Sequence, residues 1–184
     1  MANRQGQHIK KITKLPIASE EIKIRYLERL KEGKLTRDEN LVSPFCVYFA
    51  AYDPKAKEFF VGHHKKSGLW LFNGGHIDPN ETSTEALRRE IDEEWGIQID
   101  TRRIQPSLLT ITEITSNPNG RPCRWRFDIW PMVPVTKTDF QPDQSKLDTE
   151  FYTTKWITPT EAKSIITDPA TIEAFGQFEK IFAA

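Results

Sequence analysis

The chain has 184 residues, enough for one ordinary domain with a sizeable core. Its 26 Lys and Arg balance its 26 Asp and Glu, so no overall field draws it to nucleic acid or an anionic membrane, and a charged ligand must be recognised locally. The polar start MANRQGQHIKK has no apolar run behind it, no stretch approaches the ~18 apolar residues of a membrane span, and Cys46 and Cys123 lie far apart in apolar, strand-like settings, so a reducing, cytoplasmic location is expected.

To about Pro16 the chain is basic and aperiodic. SEEIKIRYLERLKEG then sets Ile22, Ile24, Tyr26, Leu27 and Leu30 against charges, with Gly33 as a stop, and predicts an amphipathic helix. Its place is packing or dimerisation rather than catalysis, which leaves a homodimer open. SPFCVYFAAYD and KEFFVGHH, joined by DPKA, predict a hairpin. His63, His64, Lys65 and Lys66 at its end suit phosphate contact and a solvated loop equally. GLWLFN is a short apolar run before Gly74 and Gly75. Beyond an acidic segment, IQPSLLTITEIT and CRWRFDIWPMVPV predict strands separated by SNPNGRP. Arg124 and Arg126 alternate with Trp125 and Phe127, giving that strand one cationic and one aromatic face, while Pro131 and Pro134 push its far end toward an edge or a bulge. DFQPDQSKLDTE is polar and predicts a loop. FYTTKWIT predicts a strand, PTEAKSII a short helix with Pro159 in its first turn, and DPATIEAFGQFEKIFAA a last helix opened by Asp168 and Pro169. Trp70, Trp125, Trp130 and Trp156 are read as core. Strands and helices intermix, so the class is α+β, with residues 1–40 as an N-terminal extension carrying the amphipathic helix and 41–184 as the domain.

The acidic segment, GGHIDPNETSTEALRREIDEEWGI, crowds Glu90, Asp92, Glu93 and Glu94 into about one helical turn. Such like-charge neighbours weaken a helix by a few tenths of a kcal/mol per pair (roughly 0.2–0.5), so a bound cation is the natural compensation. Thr82 and Glu85 form a capping-box pattern, and Gly96 suits the end of the helix. Leu87, Ile91 and Trp95 share one face, and Glu90, Glu93 and Glu94 an adjoining arc. Docked on a sheet, the apolar face leaves the glutamates at its border, where their oxygens can converge on a hard cation such as Mg²⁺. Arg89, four residues after Glu85 and four before Glu93, can help to hold them. Gly74 and Gly75 permit a tight turn that brings backbone carbonyls close.

From Gly75 the spacing is Gly, five residues, Glu81, seven residues, then Arg89 through Ile97. This resembles the box of the Nudix hydrolases in every fixed position, a far more specific signal than a lone glycine loop. The flanking order of elements is also similar to that family's α/β/α sandwich, a mixed sheet between helices. Asn73 departs from the family, many of whose members carry proline there. The resemblance implies metal-dependent cleavage of a phosphoric anhydride in a small-molecule nucleoside diphosphate derivative, with Mg²⁺ as cofactor and Mn²⁺ as substitute. It implies Glu90 and Glu94 as main metal ligands, Glu93 as further ligand or base, the Gly74 carbonyl as ligand, Glu81 as support, and Arg89 as orienter of the glutamates. For the general base the candidates are Glu93, Glu113 and Glu150, in that order; for each of the last two a solvated side chain is the favoured reading. No membrane and no nucleic-acid partner is expected.

The substrate stays open among nucleoside triphosphates, nucleotide sugars and other diphosphates. The region LTITEIT lacks the proline of ADP-ribose enzymes and the tyrosine of diadenosine-polyphosphate enzymes, and no SQPWPFP-like run of NADH-cleaving members follows. A non-catalytic Nudix-fold nucleotide-binding or regulatory module is the alternative, though every carboxylate of the box is kept. An isopentenyl-diphosphate isomerase-like enzyme would need a catalytic cysteine with metal histidines; Cys46 sits in an apolar strand with no such cluster evident.

Overall fold

The computed structural model describes residues 4–114 and 122–183. The segment SNPNGRP therefore lies almost wholly outside the described residues. The elements run α1 (Arg4–Ile12), α2 (Glu20–Lys31), β1 (Phe45–Asp53), β2 (Glu58–His64), β3 (Trp70–Leu71), β4 (Asn73–His76), α3 (Ser83–Trp95), β5 (Pro106–Glu113), β6 (Trp125–Pro134), α4 (Gln144–Glu150), β7 (Phe151–Ile157), α5 (Pro159–Ile165) and α6 (Pro169–Ala183).

A mixed seven-stranded sheet runs β3-β2-β1-β6-β5, with β4 also on β1 and β7 on β2. β1 and β6 pair in parallel, Phe45 opposite Phe127, whereas β5 and β6, β1 and β4, and β2 and β7 pair antiparallel. Strand β1 is buried on both faces, which explains its near-continuous apolar composition. Phe45, Val47, Phe49 and Ala51 enter one core together with Leu87, Ile91 and Trp95 of α3. Ala50 and Tyr52 enter a second with Phe175 and Phe178 of α6. Helices thus cover both sides of the sheet, the sandwich expected from the sequence.

The β1–β2 hairpin forms as predicted, with Tyr52 opposite Phe59. Helix α2 is capped by Ser19, whose side chain accepts from the Ile22 amide, and Gly33 follows its end at φ 65°. Fully buried Tyr26 donates to the carbonyls of Asp128 (2.7 Å) and Thr110 (3.1 Å) while packing edge-on against Phe45 and Phe127. That contact fixes the amphipathic helix on the sheet; burying such a ring contributes roughly 1.5–3 kcal/mol.

Two expectations need correction. Residues 4–12 are not irregular but form α1, held by buried Ile9 and Ile12, too few apolar positions to show a periodicity. The polar run DFQPDQSKLDTE contains α4, capped by Asp143, whose carboxylate accepts from the Ser145 amide, and pinned by buried Leu147. The far end of β6 is as its prolines predict: the β5–β6 register shifts between Pro106 and Leu108 opposite Pro131, and beyond that pair Met132, Val133 and Pro134 are paired with β1 alone among the described residues. Trp130 is buried, and Trp125 and Trp156 pack on one core. Half-buried Trp70 packs on the other, but also stacks on His63 with ring centroids 5.2 Å apart. Among the described residues no helix is long and apolar enough to cross a membrane.

Candidate functional site

Helix α3 begins and ends by local chemistry. The Thr82 hydroxyl accepts from the Glu85 amide, the Glu85 carboxylate accepts from the Thr82 amide, and Gly96 closes the helix in the left-handed region at φ 65°. The docked face of Leu87, Ile91 and Trp95 sets the rotation of the helix and so carries Glu90 and Glu94 against β4.

Close approach there depends on two glycines. Gly74 has φ 143°, and a Cβ on it would meet the Val47 carbonyl oxygen at 2.3 Å. A Cβ on Gly75 would sit 2.3 Å from Glu90 Oε1. The turn thus leaves room for a carboxylate where a side chain would otherwise stand.

Arg89 is the hub of the acidic edge. Its Nε and Nη2 donate to the two oxygens of Glu81, each at 3.0 Å, a bidentate pair. Nη1 donates to Glu90 (2.8 Å) and Glu93 (3.0 Å), and Nη2 also to the His76 carbonyl (2.8 Å). Burial alone would lower the pKa of Arg89, but Glu81 and Glu90 outweigh it and hold the guanidinium firmly charged. Glu90 is buried, and that burial pushes its pKa up to about 7 although Arg89 opposes the shift. The Glu94 carboxylate is drawn in against Asn73 Nδ2 and the Gly74 amide (3.4 Å); burial pushes its pKa up to about 8 against the pull of Asn73. One guanidinium therefore holds three box carboxylates, those of Glu81, Glu90 and Glu93, while Glu94 turns to Asn73; Glu90 and Glu94 are the most desolvated.

The glutamates do not converge on a single point as the sequence suggested. Glu93 is exposed and turned to Arg89, Glu94 is turned to Asn73, and among the described residues no three acidic, imidazole or thiol groups stand together as a ready-made cation cage. The physical reason is that Arg89 gathers Glu81, Glu90 and Glu93 to itself, while Asn73 and the Gly74 amide hold Glu94.

Among the base candidates, the fold separates Glu150 from Glu113. Glu150, at the end of α4, lies close enough to Glu94 for its charge to help raise the Glu94 pKa. It accepts from Lys66 Nζ at 2.9 Å and lies 3.5 Å from His64 Nε2, so the basic loop of the sequence meets this carboxylate. Burial would raise its pKa, but Lys66 and His64 outweigh it and the net shift is downward. Exposed Glu113, at the end of β5, pairs loosely at 4.0 Å with Arg124, just before β6. The cationic and aromatic faces of β6 exist, but Arg126 is mostly enclosed, donating to Tyr48 Oη (2.9 Å) beside fully buried Asp128 (3.5 Å). Cys46 is buried and Cys123 half-buried, both as free thiols.

Asn73 was legible only as a departure from a family pattern, yet it is the residue that holds Glu94, and its own Oδ1 is buried without a hydrogen-bond partner. Its position directly before two glycines that approach the acidic helix was the available signal.

A NUDIX domain profile matches residues 42–175. The chain is 46% identical over 39 residues to nucleoside triphosphatase NudI of Enterobacter sp. (strain 638), which covers 21% of the chain and 28% of that protein. It is 31% identical over 109 residues to the RNA pyrophosphohydrolase of Erythrobacter litoralis (strain HTCC2594), covering 55% of the chain and 66% of that protein. The matches thus span less than two thirds of these curated relatives. Among solved structures, the dihydroneopterin triphosphate pyrophosphohydrolase of E. coli superposes with TM-score 0.59 at 17% identity, covering 73% of this chain and 93% of that one. An Ap4A hydrolase binary complex of C. elegans superposes with TM-score 0.55 at 18% identity, covering 76% and 97%. At such identities the likeness establishes the fold alone. With the box geometry above and a profile match over most of its length, the chain belongs to the NUDIX family.

Proposed function

We propose that this protein is a metal-dependent pyrophosphohydrolase that cleaves a phosphoric anhydride in a small nucleoside diphosphate derivative. The observation that carries the reading is the pair of desolvated carboxylates, Glu90 and Glu94, packed at the Asn73–Gly75 turn, where the one guanidinium is shared by Glu90 with Glu81 and Glu93 and does not reach Glu94. Two buried carboxylates short of countercharge are costly unless a cation joins them. The donors also fit Mg²⁺, with Mn²⁺ as substitute: carboxylate oxygens, the Gly74 carbonyl, and the orphaned Asn73 Oδ1 beside Glu94 are all hard ligands. Glu90, Glu94 and Gly74 would hold the ion, with Glu93 as a further ligand or the base. When bound, such an ion neutralises bridging phosphate charge and acidifies a coordinated water.

The chain's own residues supply the rest. Arg89 fixes the carboxylates of Glu81, Glu90 and Glu93 so that they need not reorganise during the reaction. Glu150, whose pKa is shifted down, is ionised near neutrality and stands with Glu93 as a candidate to take a proton from attacking water. Lys66 beside it gives the substrate phosphates a positive border, with His64, whose pKa burial lowers, as a hydrogen-bonding neighbour. The relative named as a nucleoside triphosphatase supports trying nucleoside triphosphates first, and the one named as an RNA pyrophosphohydrolase supports including RNA. With two free thiols, we assign the protein to a reducing, cytoplasmic setting.

The test is product release from a panel of nucleoside triphosphates, nucleotide sugars, dinucleotides and 5′-triphosphorylated RNA, with and without Mg²⁺. Metal-dependent cleavage that disappears in Glu93→Gln and Glu94→Gln is expected. Equal turnover by both variants would sink the assignment, and folded protein that binds nucleotide without cleaving any would make the chain a binding module.

A further inference from the structure

A second groove lies where α1 crosses the start of α3 and the short turn Thr101–Arg103. With a volume of about 470 Å³ it falls within the roughly 300–1,000 Å³ of small-molecule sites. Arg4, Lys11, Arg88 and Arg102 line it, against Glu85 as the one acidic residue of the lining. Those cations come from three separate elements, so the concentration of charge is a product of the fold and not of a run in sequence. Arg4 pairs with Glu85 (2.8 Å) and Arg102 with Asp100 (2.8 Å), but both contacts are solvent-exposed and exchange readily for a stronger anion. Lys11 and Arg88 are exposed and have no acidic partner among the described residues. His8 also lines it, its Nε2 2.9 Å from Ser83 Oγ. The groove is also remote from the acidic edge: at 3.6 residues per turn, Arg88 points about 140° around α3 from Glu93 and about 160° from Glu90.

We propose that this groove is a second, non-catalytic site that binds a polyphosphate group, either of a nucleotide or of an inorganic polyphosphate. Three net positive charges in a concave site, at the positive end of the α3 dipole, suit two or three linked phosphates and no neutral or cationic ligand. The site depends on α1, which lies outside the matched residues 42–175, so it is a property added to the common domain by this chain's own N-terminal segment. It stands whether or not the hydrolytic reading does.

The experiment is calorimetric titration of inorganic tripolyphosphate into the full chain in EDTA, which keeps metal-bridged phosphate out of the acidic edge. Binding should weaken at least 10-fold in Lys11→Glu with Arg88→Glu, two exposed positions. A second arm needs no variant: the chain has only four histidines, and tripolyphosphate should move the imidazole NMR signals of His8 and leave those of His63 and His64 in place. The same shift with a nucleoside triphosphate at matched affinity assigns recognition to the phosphates of either source. Unchanged affinity in the double variant, or titration without a change at His8, would overturn the proposal.

Discussion

Helix α3 carries two edges of opposite sign, and they are built by opposite means. On one, Glu90 and Glu94 are pressed against the Asn73–Gly75 turn, with Arg89 shared among the carboxylates of Glu81, Glu90 and Glu93. On the other, Arg88 faces solvent and meets Arg4, Lys11 and Arg102 across a groove. The acidic edge lies in the sequence of the helix itself and is fixed by two glycines; the basic edge exists only because α1 folds back on it. Burial raises the cost of unpaired charge on the first, while solvent lowers it on the second.

The sharpest way to break this contrast is at Glu94. Glu94→Gln keeps the hydrogen-bonding shape beside Asn73 but removes a charge that burial opposes. Turnover should fall on the order of 100-fold or more with Mg²⁺ present, as expected when a metal ligand is lost, while melting in EDTA stays level or rises. Loss of folding with loss of activity would show that the carboxylate serves the structure and not the chemistry.

Arg89 tests the hub. Arg89→Met retains much of the aliphatic stem and leaves Glu81, Glu90 and Glu93 without their shared partner. Stability should drop by roughly 2–3 kcal/mol, because several charge-assisted bonds go and partly buried carboxylates remain. Mg²⁺ should restore part of that loss in a urea titration, more than it stabilises the native chain, since the ion then meets less competition. An equal Mg²⁺ effect in both proteins would mean that Arg89 and the ion do not share ligands.

How far each edge could be read from sequence follows from the same contrast. The acidic edge was legible because its residues lie within one helix, at spacings that geometry converts directly into neighbours: Arg89 and Glu93 at i, i+4, and Thr82 with Glu85 as a cap. The basic groove was not, because Arg4, Lys11 and Arg88 are joined only by tertiary packing, and α1 itself hides behind a basic stretch with Ile9 and Ile12 as its few buried apolar anchors. Helix α4 escaped for a similar reason, resting on one buried leucine, Leu147, and that omission left Glu150 looking like a solvated loop residue although it stands beside His64 and Lys66. Asn73 shows a third case, in which the identity was noticed but its role depended on which way Glu94 turned.

The junction of the two edges is the cap of α3. Thr82→Ala removes the hydroxyl that accepts from the Glu85 amide and donates to its carboxylate. A loss of about 1 kcal/mol is expected, read as a lower urea midpoint with unchanged slope. Both edges should weaken together, since the helix start positions them both; a change confined to one would show that the other is held by its own contacts.

The smallest effect lies in the protonation of Glu85, which belongs to the cap and to the basic groove at once. Arg4 first, and then the Thr82 amide and hydroxyl, hold its pKa down from 4.5 to about 2. Because the folded value lies below the unfolded one, its stabilising contribution is complete above about pH 4.5 and is lost as pH falls through about 2. Its side chain is 36% exposed, so solvent screening limits that contribution to less than about 1 kcal/mol. Glu85→Gln cannot titrate, so the stability gap between it and the native chain should be flat above pH 5 and narrow steadily between pH 5 and pH 2. Added salt should shrink the part of the gap due to Arg4 and leave the part due to the Thr82 cap, whereas a gap that ignored salt altogether would place Arg4 away from Glu85 and leave its guanidinium wholly to the groove.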